Sequence, residues 1–304
     1  MPELVDRVEI VEVSPRDGLQ NERRTLSTSA KVELIARARK TGVRRVEVTS
    51  FVRPDRVPQL ADAAEVVAGL AGIDIVASAL ALNMRGYERA VSAGISEINT
   101  VVLATDTFSQ RNQGMSTAAA IAVAAAMRER ARAAGLRLTI TIGASFGCPF
   151  EGEVTDERFA AVLRQVADLG ADEIALADTI GVAVPSDIER RFAMVHEYAP
   201  ATATRVHLHD TRNTAIANAV AAVRSGVTAL DASLGGIGGC PFAPDATGNI
   251  ATEDLVYLLD RMGIASGVAL DPAIEQARWV TSQLGVQAAG RLVNAGGFPR
   301  PVIQ

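Results

Sequence analysis

Aromatic residues are scarce in this chain: 4% of 304 positions, with one tryptophan, three tyrosines and eight phenylalanines. Its 48% hydrophobic content must therefore come mainly from Ala, Val, Leu and Ile, which suits buried parallel strands covered by Ala-rich helices. Cysteine is scarcer still. Cys148 and Cys240 are the only two, too few for a disulfide framework, and the reducing cytoplasm is the expected compartment. Positive charge is not in excess. The net charge of −5 gives no electrostatic footing for a nucleic-acid partner. No run of about 18 uncharged apolar residues occurs, so no membrane span is expected. The Ala118–Ala126 stretch is apolar but short, and Arg128, Glu129 and Arg130 follow it. Met1–Arg7 lacks the apolar run of a signal peptide, and Pro299–Gln304 carries no peroxisomal or lipid-attachment signal.

What the chain does have is alternation. Short β-branched runs fall at Val8–Val13, Arg45–Thr49, Ile75–Leu80, Glu97–Leu103, Arg137–Gly143, Glu173–Ala177, Thr204–His209 and Ala229–Ala232. Stretches with helical spacing of apolar residues separate them: Ser27–Lys40, Val57–Leu70, Arg85–Ala93, Ser116–Ala134, Asp156–Leu169, Pro185–Tyr198 and Thr214–Ser225, with Glu253–Met262 after the last. Such alternation implies parallel strands joined by right-handed crossovers, and eight units fit a (β/α)8 TIM barrel. A weak repeat agrees. Gly42-Val43, Gly94-Ile95, Gly170-Ala171 and Gly226-Val227 each close a helical stretch and open a strand, with Val46, Ile98, Ile174 and Leu230 three residues further on. Glycine ends a helix in the left-handed region at little steric cost. Capping glycines also suit an open doubly wound sheet, but no Gly-rich dinucleotide turn follows the first strand, which favours the closed barrel. After Met262 the pattern changes: Asp271–Leu284 reads as a helix and the remainder is rich in Gly and Pro. The expected organisation is one catalytic domain over 1–304, with 265–304 as a C-terminal cap over the barrel or a contact segment.

The chain has only three histidines, and two of them close one strand as His207-Leu208-His209. Residues i and i+2 of a strand share a face, so both imidazoles aim at one point, either as a hydrogen-bonded pair or as metal ligands. In a barrel of this kind, chemistry gathers at the C-terminal ends of the strands. Those ends carry Arg16-Asp17-Gly18, Glu47 running into Thr49-Ser50-Phe51, Gly147-Cys148-Pro149, Asp178-Thr179, His207 to Asp210, and the Gly235–Pro241 loop with Cys240 and, beyond it, Asn249. So many buried polar groups need partners. A divalent ion held by Asp17, His207, His209 and Asn249 would supply one, and this mixed nitrogen and oxygen set suits Mg²⁺ or Mn²⁺ with positions left for substrate oxygens. Asp17 equally suits a turn or helix cap, and Asn249 a turn after Gly248. Arg16 would either steady an oxyanion or form a structural ion pair with Glu47 or Asp178. Cys240 lies among four glycines, in a loop able to close over a site and relay a proton. Cys148 reads more as a structural thiol.

These motifs resemble the 3-hydroxy-3-methylglutaryl-CoA lyase family. The resemblance rests on Val11–Glu22 (VEVSPRDGLQNE), Glu47–Val52 with Val57–Asp62, Gly147–Gly152 (GCPFEG), Ala177–Gly181 (ADTIG), Gly238–Ala243 (GGCPFA) and Gly248–Tyr257. It covers nearly the whole chain. Wider relatives include isopropylmalate synthase and the carboxyltransferase part of pyruvate carboxylase, and the Gly-Gly-Cys-Pro loop points to the lyase branch.

The resemblance implies a retro-Claisen cleavage of a 3-hydroxy-3-methylglutaryl-CoA, or a close 3-substituted analogue, to acetyl-CoA and a β-keto acid. It implies Asp17, His207, His209 and Asn249 as metal ligands, His207 or Asp17 as the base, Arg16 as the group that steadies the enolate, and Cys240 as a loop thiol in acid–base chemistry. Glu47 and Asp178 become positioning carboxylates. Arg16→Met and Cys240→Ser are expected to fold normally and to lose activity. Two departures, Arg212-Asn213 after His209-Asp210-Thr211 and the segment Arg111–Ser116, bear on which acyl group is accepted. Alternatives are a citramalyl-type or isohexenyl-glutaryl-type lyase, an aldolase, or a silent metal-binding barrel. An acyl-CoA substrate and a homodimer are the expected partners.

Overall fold

A computed structural model describes residues 5–239 and 248–299. Eight parallel strands close in sequence order into a barrel. The order is β1 (Glu9–Glu12), α1 (Thr28–Lys40), β2 (Arg45–Ser50), α2 (Ala63–Ala68), β3 (Val76–Leu80), α3 (Met84–Ser92), β4 (Glu97–Leu103), α4 (Asp106–Gln113), α5 (Thr117–Ala133), β5 (Arg137–Gly143), α6 (Asp156–Asp168), β6 (Glu173–Asp178), α7 (Pro185–Tyr198), β7 (Ala203–Leu208), α8 (Ala215–Arg224), β8 (Ala229–Ala232), α9 (Thr252–Arg261), α10 (Leu270–Leu284) and α11 (Leu292–Ala295). The first and last strands pair from Glu9 against Ala229 to Glu12 against Ala232, which leaves no open sheet edge.

Local chemistry explains most boundaries. Side chains of Ser27, Asn83, Ser116 and Thr155 accept a backbone N–H from the first turns of α1, α3, α5 and α6, each worth about 1 kcal/mol. The repeat glycines Gly42, Gly94, Gly170 and Gly226 all have positive φ. One expectation changes, and one helix was not anticipated. The stretch read as a helix over Val57–Leu70 is a 3₁₀ turn at Pro58–Leu60 followed by the short α2. Lys31 Nζ claims the Gln59 carbonyl at 2.5 Å, which takes that acceptor from a continuing helix. Helix α4 carries a single apolar residue, Phe108, so it has no apolar periodicity by which to read it.

The expectation of an aliphatic core holds between the barrel and its helices, where Ile98, Val102, Leu138, Ile140, Ile174 and Leu176 are buried. Inside the barrel it holds only in part, because an ionic network shares the interior with a small cluster of Val11, Val13 and Ala229. Arg45 donates to Glu97 (Nε to Oε1, 2.9 Å) and to Glu173 (Nη1 to Oε2, 2.7 Å). Arg205 pairs with Glu173 at 2.9 Å and with Asp231 at 3.1 Å. The period of two sends these side chains inward, and mutual pairing offsets the cost of burial. Burial alone would raise the Glu173 carboxyl, but Arg205 and Arg45 bring it down to about 2. The C-terminal α10 packs against α1, α9 and the turn at Leu234–Gly236, and Ala289 N donates to Gly235 O at 2.9 Å.

Candidate metal centre and active site

Past β1 the backbone enters one buried π-helical turn, Ser14–Gly18. Arg16 N and Gly18 N both donate to Val13 O at 3.1 Å. Glu12 fixes this corner: its carboxylate accepts Ser14 N (2.9 Å), Leu234 N (3.1 Å) and Thr252 Oγ1 (2.7 Å). The turn presents Arg16 and Asp17 to the barrel mouth. His207, near the end of β7, and His209, just past it, arrive from the other side.

Asp17, His207 and His209 form one buried cluster whose potential ligand atoms lie within 4.8 Å of one another. The two Nε2 atoms face each other at 3.0 Å. Asp17 Oδ2 lies 3.8 Å from His207 Nε2 and 3.7 Å from His209 Nε2. Two ligands about 2.1 Å from one ion and at right angles sit about 3.0 Å apart, so the imidazole spacing suits a shared cation. Asn249 is locked beside His209 by a backbone bridge. Its Nδ2 lies 2.9 Å from Asp17 Oδ2, while its buried Oδ1 has no partner among the described residues. Nδ2 also donates to Ile237 O at 3.1 Å, so the unpartnered Oδ1 is the Asn249 atom available to a cation. A Cβ on Gly238, whose φ is +104°, would stand 2.7 Å from Asn249 Nδ2, so glycine is what allows the loop to pass this close.

The charges around the cluster are balanced. Arg16 donates to Glu47 (Nε to Oε2, 2.5 Å) and to the Asp17 carboxylate. Asn99 Nδ2 holds the other Glu47 oxygen at 2.9 Å. Burial works to raise the Asp17 carboxyl, yet Arg16 and the two histidines keep it well below the usual range. Burial works to lower His207, but its hydrogen bond to the Asp231 carboxylate and the Asp17 charge raise it. Asp231 Oδ2 lies 3.0 Å from His207 Nδ1, which leaves Nε2 as the nitrogen aimed at the cluster.

Asp178 does not join Arg16. Ala177 faces inward, so Asp178 faces outward, where its carboxylate accepts Val182 N at 2.9 Å and Ala183 N at 3.0 Å. Cys240 lies outside the described residues. Cys148 is buried, with Thr105 Oγ1 3.1 Å from its Sγ and the Phe150 and Glu151 amides at 3.4 Å, a structural anchor for its turn. Residues not singled out from the sequence also contribute: Glu12, Asn99 and Asp231. Their signal was an acidic or amide side chain at an inward position or at the end of a strand.

A cavity of about 450 Å³ opens beside the cluster, and Arg16, Asp17, His207, His209 and Asp231 line it. Arg111 to Met115 line it too, so that departure borders the site. Arg212 does not. It donates to the Ile180 and Gly181 carbonyls at 2.9 and 3.0 Å and braces the loop after β6.

A profile of the HMGL-like family matches residues 7–280. The chain belongs to that family. An (R)-citramalyl-CoA lyase of Chloroflexus aurantiacus is 42% identical over 292 residues, 92% of each chain. A mitochondrial hydroxymethylglutaryl-CoA lyase of Macaca fascicularis is 38% identical, over 97% of this chain and 91% of the relative. Among solved structures, an HMG-CoA lyase from Acinetobacter baumannii in complex with coenzyme A and 3-methylmalate superposes with a TM-score of 0.91 at 36% identity, covering 99% of this chain and 100% of that one. This HMGL-like protein is a carbon–carbon lyase. Among the described residues no helix is long and apolar enough to cross a membrane.

Proposed function

We propose that this lyase cleaves a 3-hydroxy-3-substituted glutaryl-CoA, of which the 3-methyl compound is the simplest, to acetyl-CoA and a β-keto acid, with Mg²⁺ or Mn²⁺ as cofactor. The observation that carries the reading is the buried Asp17–His207–His209 cluster beside Arg16, which Glu47 and Asp17 hold at the head of the cavity. Asp17, His207, His209 and Asn249 would hold the ion, which when bound supplies Lewis acidity toward the substrate's C3 hydroxyl and nearby carboxylate.

The chain's own residues do the rest. The C3 hydroxyl proton passes to the histidine–aspartate cluster. Its acceptor is Asp17 or His207, both in that cluster. The C2–C3 bond breaks, C3 becomes the ketone carbon, and the electron pair moves onto the thioester as an enolate. Arg16 carries the fixed positive charge that stabilises this oxyanion, and Glu47 holds its guanidinium in place. Cys240 is proposed to assist protonation of the enolate at C2, which completes acetyl-CoA.

A second reading is favoured by the 42% identity to a citramalyl-CoA lyase: the same bond cleavage on a substrate one carbon shorter between C3 and its carboxylate, giving an α-keto acid. Acetyl-CoA release from 3-hydroxy-3-methylglutaryl-CoA and from citramalyl-CoA, with and without added Mg²⁺ or Mn²⁺, tests both. Metal-dependent release is expected. Absence of release from either ester at saturating metal contradicts the reading.

A further inference from the structure

We infer that the Gly147–Gly152 hairpin is the support on which the α4 wall of the cavity rests, and that Phe150 is a positioning residue that fixes where Arg111 stands for the anionic part of the substrate. The inference rests on the proposed reaction, whose substrate is a coenzyme A thioester. The hairpin stands outside the cavity, whose described lining comes from other segments.

Helix α4 cannot hold itself in place. Eight residues are too few for an isolated helix to persist in water. With Phe108 as its single apolar side chain, it has no apolar stripe to bury. Yet Phe108, Gln110, Arg111, Asn112 and Gln113 all line the cavity. The two ends are tied elsewhere: Arg158 Nη2 donates to Asp106 Oδ2 at 3.3 Å, and Gln113 Nε2 donates to Val101 O at 2.9 Å. The middle of the helix rests on the hairpin.

The hairpin has a firm base. Cys148 N donates to Gly152 O at 2.8 Å, and Gly152 N to Cys148 O at 3.0 Å. Buried Arg191 donates to Ser145 O at 3.1 Å and to Val154 O, so it grips both legs of the loop. From this base Glu151 Oε1 accepts Thr107 N at 2.9 Å, a carboxylate at a helix start, where the helix dipole favours it. Phe150 meets the Phe108 ring at 77°, with 5.4 Å between centroids, and the Arg111 guanidinium lies over Phe150 at 4.3 Å. Phe108 and Arg111 are three residues apart, on one face of the helix. One ring therefore sets both the seat of α4 and the direction of Arg111. A neutral ring cancels none of the guanidinium's charge, which is left for an anion such as the phosphates of the thioester's carrier.

A double-variant cycle on the whole protein with Mn²⁺ tests this, read in kcat and KM for acetyl-CoA release and in calorimetric affinity for free coenzyme A, which needs no bond cleavage. Phe150→Leu keeps an apolar side chain on the half-buried turn and removes the ring. It is expected to raise KM and weaken coenzyme A binding by about two- to fivefold, with kcat unchanged. Phe150→Tyr, which keeps the ring, should restore both parent values. In an Arg111→Leu background, Phe150→Leu should have no further effect. Equal losses in both backgrounds overturn the inference, because Phe150 would then act on the fold and not through Arg111. Parent-like affinity in Phe150→Leu or in Arg111→Leu, with the ester still cleaved, also overturns it and leaves the reaction standing. A loss of coenzyme A affinity that vanishes in the Arg111→Leu background, with no ester cleaved by the parent, overturns the reaction and leaves the role of Phe150 standing.

Discussion

Asp231 Oδ2 sits 3.0 Å from His207 Nδ1 while Asp231 Oδ1 pairs with Arg205 at 3.1 Å, so one buried carboxylate couples an imidazole of the Asp17–His207–His209 cluster to the ionic interior of the barrel. A carboxylate behind a ligating histidine fixes its tautomer and raises its basicity, and its loss typically weakens metal binding about 10–100-fold. Asp231→Asn is therefore expected to weaken Mn²⁺ binding by that factor, measured by titration. An affinity equal to the parent's would remove Asp231 from the metal's support.

Arg16 has two jobs that a double variant separates. It neutralises Glu47, buried with no exposure, and it is proposed to hold the enolate. Arg16→Met should lower kcat about 10²–10³-fold. Contrary to the reading from sequence alone, it should also be destabilised, by about 3–5 kcal/mol, because a buried carboxylate loses its cation. Arg16→Met with Glu47→Gln should recover the urea midpoint and not the activity. Recovery of both would show that Arg16 is only a structural ion.

Glu253, in the first turn of α9, accepts Gly235 N at 3.0 Å under the glycine-rich loop. Burial pushes its carboxyl up from the ordinary 4.5 to about 8. Between those values the folded protein keeps a proton that the unfolded chain releases. The stabilisation is full below about pH 4.5 and is lost as pH rises through about 8. Urea unfolding of Glu253→Gln should show a flatter fall in stability from pH 5 to 8.5 than the parent. Parallel curves would place the pH dependence elsewhere.

Removal of Asp17 should separate metal binding from folding. Asp17→Asn keeps the shape of the side chain and the Asn249 neighbour but removes the charge facing both imidazoles. Parent activity should fall on chelation and return with Mn²⁺, whereas the variant should stay inactive at metal concentrations that saturate the parent. Full activity of the variant at the same Mn²⁺ concentration would contradict a ligand role.

Much of this architecture is readable from sequence because it rests on period. Eight β-branched runs separated by helical spacing give the barrel, and His207-x-His209 puts two rings on one face whatever the fold. What escapes is parity and pairing. Asp178 reads as a strand-end carboxylate, but β6 aligns Ala177 with inward His207 and Asp178 with outward Leu208, so its carboxylate caps the Val182 and Ala183 amides instead of pointing into the barrel. Arg45, Glu97, Glu173 and Arg205 look like surface charges in sequence, since only closure of the sheet gives each a partner. Glu12 and Asp231 are hidden for the same reason: their partners Thr252 and His207 lie 240 and 24 residues away. Helix α4 has too little apolar residue content to announce itself, yet it borders the cavity.

The central claim is one cation held by Asp17, His207, His209 and Asn249. Pulsed electron paramagnetic resonance of the protein titrated with Mn²⁺ tests it most directly. One bound ion per chain, with couplings to two imidazole nitrogens that drop to one in His209→Ala, is the predicted result. A bound Mn²⁺ without imidazole coupling, or no bound ion at all, would contradict it.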